Sequence, residues 1–131
     1  MISVSDLRAI AKARLDDAEL LAQSNRAEGA QYLCGYSVEL ALKARICGVL
    51  NWSGFPENRK EFENLGSFRT HKLDVLLRLS GQEERIKADH LWAWSVIAEW
   101  VPEVRYKPIG KTDLIEVVIM LSAASTLMDV L

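Results

Sequence analysis

Three sets of residues in this chain could do chemistry: a lone carboxylate, a short run of cations and two histidines. Glu39 stands inside the apolar segment of residues 32–50, where a buried acid needs a partner. Lys43 lies one helical turn later and is the first candidate for that partner. The sequence therefore predicts a structural ion pair between Glu39 and Lys43.

The cations lie in a loop before the last apolar segment of the chain. Arg105, Lys107 and Lys111 occur within seven positions, just ahead of an expected helix. The free backbone amides and the dipole at a helix start favour an anion. An alternative is a solvated loop in which Arg105 turns inward to neutralise Glu39 or Glu103. If the loop binds phosphate instead, the contact residues are Arg105, Tyr106, Lys107, Lys111 and Thr112.

The two histidines are the candidates for proton transfer near neutral pH. His71 stands beside Lys72 in the first turn of an expected helix. There it either makes a structural hydrogen bond or forms a catalytic imidazole brought close to Arg105 by folding. His90 lies in an apolar stripe, which favours a core or dimer-interface histidine. Arg85 precedes it by five positions, but five steps turn a helix by roughly 140°, so these two side chains diverge. The catalytic candidates are Arg105, His71 and His90.

Composition excludes several classes of protein. The chain has 131 residues, half of them hydrophobic, so we expect a single helical domain over residues 1–131. A formal net charge of −2 leaves any nucleic-acid binding to a local patch. Charged residues interrupt the 32–50 segment, so we expect no membrane span and a cytoplasmic protein. Cys34 and Cys47, roughly 20 Å apart along one helix, are interpreted as reduced buried thiols. No spacing suits a metal, and we expect no cofactor.

Hydrophobic periodicity supplies the elements that must position these residues. We predict no strand and an all-α fold, a bundle of four to five helices. Gly66 should end a short helical turn begun at Pro56, within a long connection over residues 51–70. Thr70 should cap the third helix. The expected helices are one from a Ser3 or Ser5 cap to residue 24, one over 27–50, one from 70 to Gly81, one over 82–100 closed by Pro102, and one over 114–131 capped by Thr112 or Asp113.

The fourth of these helices carries two apolar faces. Trp92 and Val96 point away from its main stripe and lie beside Glu99. An apolar face outside the core needs a partner. We therefore assign Trp92 and Val96 to a dimer interface.

Three blocks of this sequence resemble the HEPN family of small prokaryotic helical domains. They are GYSVELALKARI, THKLDVLLRLSG and PEVRY, and the likeness extends from Ala13 to Leu131. The resemblance implies an up-and-down antiparallel helical bundle that dimerises and acts on RNA, as a metal-independent endoribonuclease toxin or an RNA-binding module. Such domains are often paired with a nucleotidyltransferase antitoxin.

The family's ribonucleases carry an arginine followed, after four to six residues, by a histidine. Arg105 matches that arginine, but residues 106–112 contain no histidine. Lysine is protonated near neutral pH and does not replace imidazole as a base. We therefore expect an RNA-directed component of a toxin-antitoxin or defence system with a degenerate ribonuclease motif. The alternative is a non-catalytic dimerising domain that pairs with a nucleotidyltransferase-type partner.

Overall fold

The computed structural model describes residues 1–131 and is predominantly helical, with one short strand pair. Three long helices and three helices of seven residues each build the fold. The elements in chain order are β1 (Ile2–Ser3), α1 (Val4–Gln23), α2 (Ala27–Leu50), β2 (Gly54–Phe55), a first 3₁₀ turn (Gly66–Phe68), α3 (Leu73–Leu79), α4 (Glu83–Asp89), α5 (Leu91–Ile97), a second 3₁₀ turn (Pro102–Tyr106) and α6 (Leu114–Val130).

Helices α1 and α2 form an antiparallel pair joined by a tight turn. The backbone N–H of Asp6 donates to Ser3 Oγ at 3.1 Å, which caps the start of α1. Asn25 takes the left-handed conformation between the two helices, with φ of 58°. Asparagine tolerates that region better than most residues. The apolar stripe of α1 packs against α2, and its buried residues are Leu7, Ala11, Leu15, Ala18 and Ala22.

Helix α2 is the centre of the molecule. It packs against α1, α3, α6 and the second 3₁₀ turn, so most of its circumference is buried. Gly35 is essential to a further contact, with Trp100 in the connection between α5 and the second 3₁₀ turn, because a Cβ at residue 35 would lie 2.1 Å from Cγ of Trp100. The absence of a side chain lets the indole lie directly on the helix backbone.

Helix α6 packs one face on α2 and α5 and leaves the other exposed. Asp113 caps it, since its Oδ1 accepts from the backbone N–H of Ile115 at 2.9 Å. Val117, Met120 and Leu127 are buried. Ile115, Val118 and Ile119 are exposed, and they form an apolar face in the first turns of the helix.

The structure confirms the all-α class but corrects several predicted elements. Residues 2–3 and 54–55 pair as antiparallel strands, although no strand was predicted. The fourth predicted helix is two helices, α4 and α5, because the backbone breaks at His90 with φ of −136°. His90 is therefore half-buried at a junction, not in an apolar stripe. The bundle contains six α-helices in place of four to five.

The entry to α3 also differs from the prediction. The helix begins at Leu73 with Lys72 at the capping position, so Thr70 and His71 lie in the preceding connection. The hydroxyl of Thr70 instead accepts from the backbone N–H of Lys72 at 3.1 Å. Gly66 begins a 3₁₀ turn and does not end one. None of the helices combines the length and the apolar character that crossing a bilayer requires.

Candidate functional site

The carboxylate of Glu39 lies at the centre of a three-residue cluster. Its side chain is 1% exposed, and Lys43 Nζ lies 3.0 Å from Oε2. His71 Nδ1 lies 3.0 Å from Oε1, so both carboxylate oxygens have a partner. His71 itself is 65% exposed and its Nε2 makes no hydrogen bond. A buried acid thus holds one nitrogen of an imidazole and leaves the other open to solvent.

The cluster opens into a cavity of about 290 Å³ between α2 and the connection over residues 51–72. The floor is apolar and buried, and the rest of the lining mixes polar with apolar and aromatic side chains. Leu40, Phe55 and Pro56 form the floor. The side chains that line the remainder are Ile2, Tyr36, Lys43, Glu57, Phe62, Phe68, Arg69, Thr70 and His71.

Arg105 lies in the second 3₁₀ turn and is exposed. Its guanidinium carbon is 5.0 Å from the ring centre of Tyr106. Polar contact with the Tyr32 side chain, and next with that of Tyr106, raises the pKa of Arg105. Arg105 makes no ion pair with Glu39 or Glu103, so the inward-turned alternative is wrong. The partner of Glu39 beyond its own helix is His71.

A single acid fixes the shape of the basic loop. The backbone N–H of Gly110 donates to Glu28 Oε1 at 2.7 Å, and this bond lowers the pKa of Glu28. The hydroxyl of Thr112 lies 3.4 Å from Gln31 Oε1. Glu28 thus orders the loop through its backbone and makes no ion pair with its side-chain cations. None of the three cations of this loop, Arg105, Lys107 and Lys111, makes an ion pair.

The start of α6 contributes less to this loop than the sequence suggested. Asp113 supplies its own carboxylate to the amide of Ile115, which removes one of the free amides expected to face a phosphate. Any anion at this loop would therefore depend on side-chain cations.

A row of side chains on α2 joins the two places. Tyr32 and Tyr36 stack with ring centres 6.1 Å apart and planes at 10°, and Trp100 stacks on Tyr32 at 6.2 Å. Tyr32, Tyr36, Glu39 and Lys43 share one face of the helix, and we call these four residues the α2 stripe. Tyr32 meets Arg105 at one end, and Tyr36 lines the cavity at the other. The distance from Tyr32 to Glu39 along the helix axis is roughly 10 Å.

The two tyrosines of this stripe, and also Arg69 and Thr70, were not among the predicted site residues. The tyrosine pair had a usable signal, since residues 32 and 36 lie one turn apart on the face that carries Glu39. Arg69 and Thr70 had none. They reach the cavity only because the connection folds back over α2.

The remaining candidates lie apart from these two places. Arg85 donates to Gln82 Oε1 at 2.8 Å and to the carbonyl of Val130 at 2.7 Å, which is a structural role. Trp92 is 55% exposed on α5. Val96 lines a groove of about 400 Å³ between α5, the second 3₁₀ turn and α6.

Comparison with models of protein families, with curated proteins and with solved structures finds no match to this chain.

Proposed function

We propose that this chain is an RNA-directed module that binds single-stranded RNA from the Arg105 loop along the α2 stripe. The observation that carries the proposal is Arg105 itself, an exposed guanidinium without a carboxylate, lying over the ring of Tyr106. Tyr106 is 74% exposed, so its ring is open to a base. Cations beside exposed aromatic rings are what single-stranded nucleic acids require.

The charge distribution supports a local contact. The chain carries a formal net charge of −2, so its global field does not attract RNA. The loop nevertheless concentrates Arg105, Lys107 and Lys111 without acidic partners on their side chains. With three phosphate contacts, the slope of log affinity against log salt should be about −2 for a single strand.

The resemblance to HEPN domains favours RNA over other polyanions and favours a toxin-antitoxin or defence setting. The Arg105 loop supplies a cation for the phosphate and no imidazole for proton transfer. We therefore propose binding, and not strand cleavage, as the activity of this loop.

Fluorescence anisotropy with a labelled oligouridine at low salt tests the proposal. The Arg105→Ala, Lys107→Ala double variant should bind about tenfold more weakly and show a salt slope smaller by about 1.4. The matched control is Arg59→Ala with Lys60→Ala, which removes the same charge from an exposed part of the connection. Undetectable binding of the wild-type protein at low salt, or equal losses in the two double variants, would reject the proposal.

A second candidate function is self-association through the apolar face of α5 and α6. Leu91, Trp92, Ile115, Val118 and Ile119 are exposed on two helices that pack against each other. The HEPN likeness would also allow a nucleotidyltransferase-type partner on this surface. In light scattering, the Trp92→Glu variant should have a lower molar mass than the wild-type oligomer. The Leu20→Glu variant, changed on α1, should keep the wild-type mass. A monomeric wild-type protein would exclude this candidate.

A further inference from the structure

The cavity beside His71 is rich in hydrogen-bond donors and poor in acceptors. Lys43 has three N–H groups and gives one to Glu39. Arg69 makes no ion pair, and its guanidinium carbon lies 5.8 Å from the ring centre of Phe62. The hydroxyl of Thr70 accepts one bond from backbone and keeps its own proton to donate. Tyr36 adds a hydroxyl whose pKa is raised by burial, so it stays protonated.

His71 adds a further donor when its imidazole carries two protons. Nδ1 then donates to the buried Glu39, and the N–H of Nε2, a nitrogen with no hydrogen bond in the protein, is left free on a residue that lines the cavity. Both oxygens of Glu39 are occupied by Lys43 and His71, so this carboxylate is neutralised from two sides. Glu57 on the rim is paired with the amino group of Met1 at 2.8 Å. The lining therefore offers cationic donors from Lys43, Arg69 and His71, while both Glu39 and Glu57 already have partners.

The size and the walls of the cavity limit the ligand. A volume of about 290 Å³ is at the lower end of small-molecule sites, which admits one nucleotide and not a run of bases. Phe62 and Phe68 offer aromatic walls to a planar ring. The floor of Leu40, Phe55 and Pro56 is buried, so a strand that enters beside Tyr36 has no exit past these residues.

We propose that this cavity binds the terminal nucleotide of a single-stranded RNA through a terminal phosphomonoester. Lys43, Arg69, Thr70 and His71 donate to the phosphate oxygens, and the aromatic walls hold the base. A terminal phosphate carries a charge of about −1.5 to −2 and three acceptor oxygens, which an internal phosphodiester does not. The proposal rests on the RNA binding proposed above, because the α2 stripe is the path by which the strand reaches the cavity.

The test compares three oligouridines of one sequence, with a 5′ phosphate, with a 3′ phosphate, or with hydroxyls at both ends. Wild-type protein should bind one of the phosphorylated strands about tenfold more tightly than the hydroxyl strand. The preferred strand identifies which end enters. In the Arg69→Ala, His71→Asn double variant the difference should fall below about twofold. Arg78→Ala, which removes one cation from the exposed face of α3, should leave it intact.

The failures of the two proposals are distinguishable. Equal affinity for all three strands, or a phosphate preference that survives in the double variant, overturns the terminal-phosphate site and leaves strand binding standing. A second measurement is calorimetry with uridine 5′-monophosphate, with uridine 3′-monophosphate and, for comparison, with uridine, which has no phosphate. If wild-type protein binds either monophosphate, the double variant does not, and no oligouridine binds, the result supports a phosphate site in the cavity. The same result rejects the α2 stripe as the path of a strand to that site. If neither oligouridine nor monophosphate binds, the cavity proposal is wrong as well.

Discussion

Replacing Gly35 by alanine should destabilise the protein, although the change improves helix propensity. A Cβ at residue 35 would lie 2.1 Å from Cγ and 2.2 Å from Cδ1 and Cδ2 of Trp100. These separations are far inside van der Waals contact, and the atoms belong to a rigid ring. A shift of a few tenths of an ångström cannot relieve the overlap. Trp100 therefore has to leave its site, which also removes its stacking on Tyr32.

The magnitude follows from two opposing terms. Emptying the site of a buried tryptophan costs about 3–5 kcal/mol when the side chain is truncated. Trp100 is buried, so we take that range as the cost of expelling its ring. Alanine in place of glycine in a helix interior returns about 1 kcal/mol. The net expectation is a loss of about 2–4 kcal/mol in the free energy of unfolding.

Urea denaturation followed by far-UV circular dichroism measures this difference. Gly48→Ala is the matched control, since Gly48 lies on the same helix and a Cβ there meets nothing within 4 Å. That control should be stabilised by up to about 1 kcal/mol. If Gly35→Ala is as stable as wild type or more stable, the close packing of Trp100 on α2 is refuted.

Three smaller predictions concern thiols, a helix cap and an acid. Burial raises the pKa of Cys34 to about 12 and also raises that of Cys47, so Ellman's reagent should find no reactive thiol in the native protein and two after denaturation. Asp113→Ala should lower the free energy of unfolding by about 0.5–2 kcal/mol in urea denaturation; an unchanged midpoint would argue against the cap. The pKa of Glu28 is lowered, so its bond to the Gly110 amide is present at neutral pH and lost as pH falls through that lowered pKa. The amide of Gly110, with its exchange rate corrected for intrinsic pH dependence, should be protected at neutral pH and lose protection only in acid. Equal protection at neutral and at acid pH would contradict the bond.

Much of the helical framework could be predicted from local sequence signals. Ser3 at the start of α1, Asn25 after it and Asp113 before α6 are short-range signals, and the structure uses all three. The break at His90 was missed because apolar residues continue on both sides of it, so periodicity gave no warning. The strand pair was missed because two residues per strand are too few to show alternation.

The site was less predictable, because its partners are far apart in sequence. The pairing of Glu39 with Lys43 follows from a spacing of one helical turn. The pairing of Glu39 with His71 spans 32 positions and depends on how residues 51–72 fold back over α2. The guanidinium of Arg105 contacts tyrosine side chains and no carboxylate. Counting charges along a sequence does not reveal such contacts.

The strand pair has a consequence for the order in which parts of the molecule open. Ile2 pairs with Phe55, and both side chains line the cavity. The strand pair β1–β2 therefore joins two distant segments of the chain and holds that side of the cavity in place. The opposite wall is α2, which belongs to the long helical pair. Because each strand of this pair has only two residues, separating the strands should require less free energy than unfolding the helices. This side of the cavity would then open as a separate unit of local stability. A ligand bound in the cavity would therefore slow amide exchange at residues 54–55 more than it slows exchange in the helices.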